Sequence, residues 1–312
     1  MIQIDLITGF LGAGKTTFIK EYTRAMNAQG KKVGIIENDF GGVNVDMLLL
    51  KDLQNPLCVS EQILSDGDPV TYKRRLKAKL IAMSMQGFQR IIIEPSGIFD
   101  MDAFLDTLYD EPVCNWYELA NVIAIVDAHF PETISKESAY MMTSQIAHAG
   151  KIVFSKCQDT SAEDLLRTKD SIKDVLAMYK CSRILREEDY LAKDWKTLTA
   201  EDFQNLFQAG YKTADYGKVW MDQQKQFGSL AFLELGMQLG EVKEVAKHLF
   251  AEPAFGNVLR VKGLVKGNDS FYQSYNFTRN EEAVDTMRDG QEVLVVIGEN
   301  LCKEQISALF SK

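Results

Sequence analysis

Hydrophobic residues in the first half of the chain fall in short, nearly continuous runs separated by segments with helical spacing. The runs are "IQIDLIT" from residue 2, "KKVGIIEN" from 31, "RIIIE" from 90, "NVIAIVDA" from 121 and "KIVFSK" from 151. Four of them are nearly continuous in Ile and Val, which is typical of strands buried on both faces. The pattern predicts a parallel sheet covered by helices, an α/β fold.

The segments between these runs repeat apolar residues every three or four positions, as amphipathic helices do. One helix should start after the glycine-rich segment that follows the first run and stop at Gly30. A second should begin near 69, with Asp68 as N-cap and Pro69 in its first turn. The remaining predicted elements are helices at 69–86, 100–109, 138–149 and 161–179 and a short strand near 182–185.

From about residue 190 to 225 the pattern becomes less regular and more polar. We therefore predict a first domain over 1–215 and a second, smaller one over 225–312. The second domain carries strand patterns in "FGSLAFLELG", "GNVLRVKGLVKG", "DSFYQSYNF" and "QEVLVVIGEN", and helix patterns in "GEVKEVAKHLF" and "CKEQISALF". Successive strands favour antiparallel pairing, so the second domain is predicted to be α+β.

Composition narrows the classes of function. The 312 residues carry a net charge of −9, which argues against a nucleic-acid partner because such proteins present a basic face. No apolar run approaches a membrane span, and "MIQIDLITGF" has no basic region typical of a signal peptide. The five cysteines form no CxxC pair. We expect a cytoplasmic protein without a membrane partner.

The glycine-rich segment "GFLGAGKT" at 9–16 fits the phosphate-loop pattern G-x-x-x-x-G-K-[ST]. Glycines let the backbone curl so that its N–H groups point at phosphate oxygens, and the following helix adds its positive N-terminal end. A glycine-rich turn without a ligand is the alternative. The motif predicts nucleotide binding by Gly9, Gly12, Ala13, Gly14, Lys15, Thr16 and Thr17.

A nucleotide-hydrolysing site also needs an acid near the metal and a sensor of the γ-phosphate. The segment "IIIEPSG" at 91–97 offers both at the end of a predicted strand, since Glu94 can hold Mg²⁺ together with Thr16 and the Gly97 N–H can contact the γ-phosphate. An ordinary Pro-Ser-Gly turn is the alternative. The predicted catalytic residues are Lys15, Thr16, Glu94 and Gly97. No arginine or glutamine stands out as a catalytic finger, so turnover is expected to be slow.

The segments "LITGFLGAGKTTF", "IIENDFGGVNVD", "IIIEPSGIFD" and "VIAIVDA", with "LRVKGLV" and "VLVVIGENL" near the C-terminus, resemble the CobW-type GTPases. These are relatives of the GTPases that deliver nickel to hydrogenase and urease. The resemblance covers nearly the whole chain. It implies a GTP- and Mg²⁺-dependent switch that handles a metal ion or a cobalamin-type cofactor for a client metalloprotein or cofactor-dependent enzyme. It also implies that residues 37–46 form a mobile switch segment.

The base-reading motif departs from the family. Family members carry Asn-Lys-x-Asp or Thr-Lys-x-Asp, whose Asp accepts two hydrogen bonds from guanine. In "FSKCQD", Ser155 and Lys156 match, Gln158 stands in place of the Asp, and Asp159 follows one position later. A neutral amide is a weaker acceptor than a carboxylate. Either the loop shifts to bring in Asp159 or guanine selectivity is relaxed, so GTP is the first expectation and ATP the alternative.

The metal motif departs as well. Relatives usually carry Gly-Cys-x-Cys-Cys between the switch and the next helix, a thiolate trap for Zn²⁺ or Co²⁺. Here "NPLCVSEQ" keeps Cys58 and has Ser60 and Glu61 at the other two positions. One thiol and two carboxylates, from Cys58, Glu61 and Glu37, remain as candidate ligands. The alternative is that metal binding is lost and Cys58 is a packed core residue. The scattered His129, His148 and His248 do not restore the site.

Two functions of different classes follow. The first is a slow GTPase of CobW type that delivers or handles a metal ion or metal-containing cofactor. The second is a nucleotide-gated chaperone or binding module that has lost free-metal binding and relaxed its base selectivity. A small-molecule kinase would share the phosphate loop but lacks an evident acceptor site.

Overall fold

The computed structural model describes residues 1–40, 50–65, 69–98, 101–130, 134–219, 226–267, 271–288 and 290–310. The chain divides into two compact units. The first consists of Met1–Asn38, Leu50–Ile63 and Pro69–Trp220, and the second is built mainly from Met221–Lys312.

The first unit is organised around a seven-stranded sheet with the order β3-β2-β4-β1-β5-β6-β7. Its strands are β1 (Ile2–Gly9), β2 (Val33–Phe40), β3 (Cys58–Ser65), β4 (Arg90–Glu94), β5 (Tyr117–Asp127), β6 (Lys151–Ser155) and β7 (Tyr190–Leu191). β1 pairs in parallel with both β4 and β5, and every residue of β4 is buried. The predicted parallel α/β sheet is confirmed, because strands covered on both faces need continuous apolar sequence.

Helices cover this sheet at segments where helical spacing was predicted. They are α1 (Lys15–Ala28), α2 (Pro69–Met83), α3 (Met101–Leu108), α4 (Lys136–Ala147), α5 (Ala162–Met178) and α6 (Ala200–Phe207). α4 begins two residues earlier than predicted, because the Ser135 hydroxyl caps it by accepting from the Ser138 N–H at 3.0 Å. The predicted cap Asp68 lies outside the described residues.

Three local predictions need correction. The strand expected near 182–185 is wrong: those residues have no regular structure, and Ile184 is exposed. The last strand is β7, which pairs with β6 through Tyr190 and Leu191. A two-residue strand has too few positions to show a period. "NPLCVSEQ" is not a connection before a helix, since β3 begins at Cys58. α6 lies in the segment that the pattern marked as irregular.

A buried polar network lies near the amino ends of the central strands. The Asp5 carboxylate accepts from Arg90 at 2.5 and 2.6 Å, from Asn121 at 2.6 Å and from the Tyr22 hydroxyl at 3.0 Å. Arg90 and Asn121 also donate to the Phe207 carbonyl at the end of α6, at 3.1 and 3.0 Å. A buried carboxylate is tolerated only when donors replace water. The network therefore ties β1, β4 and β5 to α6.

The second unit is a five-stranded antiparallel sheet with the order β11-β10-β9-β12-β8 and two helices. Its elements are β8 (Phe227–Leu233), α7 (Leu239–Ala251), β9 (Asn257–Lys266), β10 (Tyr272–Thr278), β11 (Glu281–Met287), β12 (Val293–Glu299) and α8 (Lys303–Ala308). The predicted α+β class and antiparallel pairing are confirmed. β11 was not predicted, because it is a polar edge strand. None of the helices in the described ranges has the length and hydropathy needed to cross a membrane.

Candidate nucleotide-binding site

The phosphate loop connects β1 to α1, and its shape depends on glycine. Gly9 has a φ of 147°, and a Cβ there would lie 2.3 Å from the Ile125 carbonyl oxygen. Gly14 is the N-cap of α1 in the left-handed region, with a φ of 91°. Side chains are strained in these conformations. The loop therefore takes its curl from the glycines that the motif requires.

Lys15 lies inside the curl of this loop. Its side chain is almost fully buried, and the ammonium donates to the carbonyls of Gly9 at 2.9 Å and Phe10 at 3.4 Å. These contacts compensate the buried positive charge without neutralising it. The arrangement holds a cation inside a backbone loop, which suits it to an anionic ligand such as a phosphate.

Thr16 and Glu94 meet at the carboxyl edge of the sheet. The Thr16 hydroxyl donates to the two Glu94 carboxylate oxygens at 2.9 and 3.1 Å, and both residues are buried. Thr16 is the second residue of α1, and Glu94 ends β4, next to β1. Hydroxyl and carboxylate oxygens are the hard ligands that Mg²⁺ prefers. The two residues predicted to hold Mg²⁺ therefore lie together, and their chemistry fits that ion.

Gly97 packs directly on the phosphate loop. A Cβ at Gly97 would lie 2.7 Å from the Leu11 backbone nitrogen and 2.8 Å from its Cδ2. The Gln145 side chain of α4 donates to the Gly97 carbonyl at 3.0 Å and fixes this loop from the other side. Gly97 thus lies beside the loop whose ligand it is predicted to contact.

The predicted base-reading segment follows β6 at the same edge of the sheet. Lys156 has a left-handed backbone, with a φ of 59°, and its ammonium contacts the Asp127 carboxylate at 2.5 Å. The His129 N–H also donates to Asp127, at 2.9 Å. Ser155 is buried, and its hydroxyl donates to the Val126 carbonyl at 3.4 Å. Asp127 therefore fixes the position of Lys156.

Gln158 and Asp159 lie on a short 3-10 helix, Cys157–Asp159, and both are exposed. The Gln158 amide donates to the Asp159 carboxylate at 2.9 Å. The two residues considered for base recognition are thus bonded to each other. Whether either contacts a base stays a prediction.

Trp195 is a neighbour of the site that the sequence analysis missed. Its indole N–H donates to the Phe154 carbonyl at 2.9 Å, and its ring meets that of Phe18 edge-on at 5.3 Å. A Cβ at Gly14 would lie 3.3 Å from the same ring. The tryptophan therefore bridges β6 and the phosphate loop. An aromatic residue just after the last strand was the available signal, but that strand was misplaced.

The structure does not bring the candidate transition-metal ligands Cys58 and Glu61 together. They are three residues apart in β3, and side chains along a strand alternate between faces. Glu61 forms an ion pair with Lys79 of α2 at 2.6 Å. Cys58 is buried, and burial raises the pKa of its thiol to about 11. A metal would need the thiolate, which this environment disfavours.

Glu37, the third candidate, lies apart from Cys58 along the sheet. It pairs in register with Glu94 near the carboxyl end of β2, whereas Cys58 follows Leu57, whose carbonyl accepts from Val33 at the start of β2 at 2.8 Å. No group of three His, Cys, Asp or Glu side chains in the described ranges could hold a metal ion. Residues 41–46 of the predicted switch segment lie outside those ranges.

Comparison with known families identifies this arrangement. Residues 3–182 match the model of the CobW/HypB/UreG nucleotide-binding domain. The chain belongs to the CobW/HypB/UreG family. The match spans β1 to the end of α5, so the phosphate loop, Glu94 and the segment after β6 all lie within the family domain.

Relatives in this family include zinc chaperones. The chain is 26% identical to the zinc chaperone YjiA of Escherichia coli (strain K12), over 99% of this chain and 98% of that protein. It is 30% identical to the zinc chaperone YeiR of the same strain, over 52% of this chain and 49% of that protein. A similar solved structure is Zn(II)-bound YjiA GTPase from E. coli, with 23% identity, a TM-score of 0.39 and coverage of 99% and 98% of the two chains.

Proposed function

We propose that this protein is a Mg²⁺-dependent GTP-binding and hydrolysing switch that handles a metal ion or a metal-containing cofactor for a client protein. The hydrogen-bonded pair of Thr16 and Glu94 beside Lys15 carries this proposal. A buried acid at this position serves no structural need of the loop, and it suits a hydrated divalent cation.

In this proposal each residue has a separate task. Thr16 and Glu94 hold Mg²⁺, which when bound neutralises charge on the phosphates. Lys15 leaves the carbonyls of Gly9 and Phe10 for the phosphate oxygens. Gly97 offers its N–H to the γ-phosphate. With no catalytic arginine or glutamine assigned, hydrolysis by the protein alone is slow and is accelerated by a partner.

The metal-handling part extends the family assignment to this chain. We assign the work to a GTPase domain over 1–215 and a second domain over 225–312, acting in the cytoplasm on a client metalloprotein or cofactor-dependent enzyme. The relatives named as zinc chaperones support Zn²⁺ as cargo, with Co²⁺ or a cobalamin-type cofactor as further candidates. Segment 37–46 is the proposed switch.

A second candidate is a nucleotide-gated chaperone that binds no free metal. The ion pair between Glu61 and Lys79 favours it, together with the separation of Cys58 from Glu61 on opposite faces of β3. Titration with Zn²⁺ and Co²⁺, with and without GTP, separates the candidates. Tight binding that is lost in Cys58→Ala supports ion delivery, and no binding in either nucleotide state supports the chaperone.

The nucleotide part is tested by phosphate release from GTP and ATP, with and without Mg²⁺ and with no other substrate. We expect slow, Mg²⁺-dependent release from GTP and its loss in Lys15→Ala. Release that requires a small-molecule acceptor would indicate a kinase instead. Equal or better use of ATP would contradict the guanine assignment and leave the phosphate site in place.

A further inference from the structure

The acid that the base-reading motif lacks at position 158 has a candidate substitute on a different loop. β6 and β7 pair in parallel with Val153 opposite Leu191, so the chain leaves both strands at the same edge of the sheet. Asp194 follows Leu191 at the distance in sequence at which Lys156 follows Val153. The register therefore sets Asp194 beside the segment that reads the base in relatives.

The position of this loop is fixed by the next residue. Trp195 donates to the Phe154 carbonyl at the end of β6 and lies against Gly14 of the phosphate loop. A nucleotide whose phosphates occupy the loop extends its base toward this edge. The loop carrying Asp194 is thus held between the segments predicted to contact the phosphates and the base.

The charge of Asp194 reaches the base-reading segment. Burial raises the pKa of the Cys157 thiol, and the carboxylates of Asp194 and Asp127 raise it further. Cys157 directly precedes Gln158. Two carboxylates therefore act on this segment, and the one from Asp194 comes from a separate loop.

The neighbouring carboxylates already have side-chain partners. Asp127 is paired with Lys156 at 2.5 Å, and Asp159 accepts from Gln158 at 2.9 Å. Asp194 accepts from the Lys196 backbone N–H at 3.0 Å, and within the described part of the chain no cation pairs with it. A carboxylate has two oxygens and only accepts hydrogen bonds. Asp194 thus retains acceptor capacity at this edge.

We propose that the Asp194 carboxylate reads guanine in this protein, accepting from N1–H and the 2-amino group in place of a side chain at position 158. Guanine presents these two donors side by side, whereas adenine has an acceptor at N1 and no 2-amino group. This inference rests on the GTP binding proposed above. It makes Asp194 the residue that determines base specificity, and it makes Trp195 a positioning residue for the loop.

Asp194→Asn tests this assignment with GTP, ATP and xanthosine triphosphate, whose base carries an oxygen in place of the 2-amino group. An asparagine amide can accept from N1–H and donate to that oxygen, and it keeps the cap on the Lys196 N–H. We expect GTP affinity to fall roughly 10- to 100-fold, the range for losing a hydrogen bond to a charged group, and xanthosine triphosphate affinity to rise about tenfold or more.

Two further variants make the result decisive. Asp174→Asn, the same change at an exposed position of α5, should leave both affinities unchanged. Asp159→Asn tests the rival carboxylate. If it reverses the preference while Asp194→Asn does not, or if Asp194→Asn leaves the ratio of the two affinities unchanged in a protein that prefers GTP, the inference is overturned and the GTPase proposal stands. A wild-type protein with no preference for GTP over ATP overturns the guanine proposal itself.

Discussion

Replacing Gly97 by alanine tests the packing between the loop after β4 and the phosphate loop. The new Cβ would lie 2.7 Å from the Leu11 nitrogen, and ordinary contact begins at 3.4 Å. The neighbour is backbone, so the phosphate loop itself must move. Overpacking of this kind costs about 1–3 kcal/mol. For a unit of this size that lowers the midpoint of thermal unfolding by roughly 2–10 °C.

Two measurements separate packing from nucleotide contact. Thermal unfolding without nucleotide reports the clash alone, and equilibrium binding of GTP reports the displaced loop, so both should worsen in Gly97→Ala. Gly240→Ala is the matched control, since a Cβ at Gly240 meets nothing within 4 Å and alanine favours its helix. Unchanged unfolding and unchanged GTP affinity in Gly97→Ala would refute the close approach of the two loops.

Three further predictions concern other parts of the first unit. Thr16→Ala should weaken GTP binding when Mg²⁺ is present and leave it unchanged in chelator, as measured by calorimetry, because the hydroxyl acts through the metal. Arg90→Leu should destabilise the protein by about 3–5 kcal/mol in urea unfolding, because it leaves the Asp5 carboxylate buried without its cation. Cys58 should be the last cysteine alkylated in the native protein at mildly alkaline pH, as read by mass spectrometry, because its thiol is buried with a pKa of about 11.

Each of these has a control and a refuting result. Lys173→Ala removes an exposed ion pair with Asp170 and should change stability by less than about 1 kcal/mol; an equal loss in both variants would refute the role of the buried network. Cys114 is partly exposed and should react before Cys58. Early modification of Cys58 would contradict its burial. A Thr16→Ala defect that persists in chelator would place the hydroxyl outside the metal site.

Much of the first unit was predictable because the information is local. Continuous Ile and Val runs indicate buried parallel strands, and "GFLGAGKT" after a strand indicates a phosphate loop. The meeting of Thr16 with Glu94 followed from topology, since the carboxyl ends of neighbouring parallel strands share an edge. α6, β7 and β11 were missed because short or polar elements show little periodicity.

The candidate metal ligands show the limit of spacing. Cys58 and Glu61 seemed close enough to share an ion as long as their segment was taken as a connection between elements. Once the segment is a strand, positions three apart lie on opposite faces, and Glu61 turns toward Lys79. One change in secondary structure therefore decides whether two neighbours in sequence can act together.

The sequence by itself determined the fold class, the phosphate loop and the acid that accompanies it, because each depends on residues adjacent in the chain or on the regular geometry of a parallel sheet. Only the tertiary structure brought Arg90 to Asp5 across 85 residues and set Trp195 against Gly14. Hydrophobic periodicity reports which face of an element is buried. It does not report which partner covers that face, and the contacts around Asp194 depend on that partner.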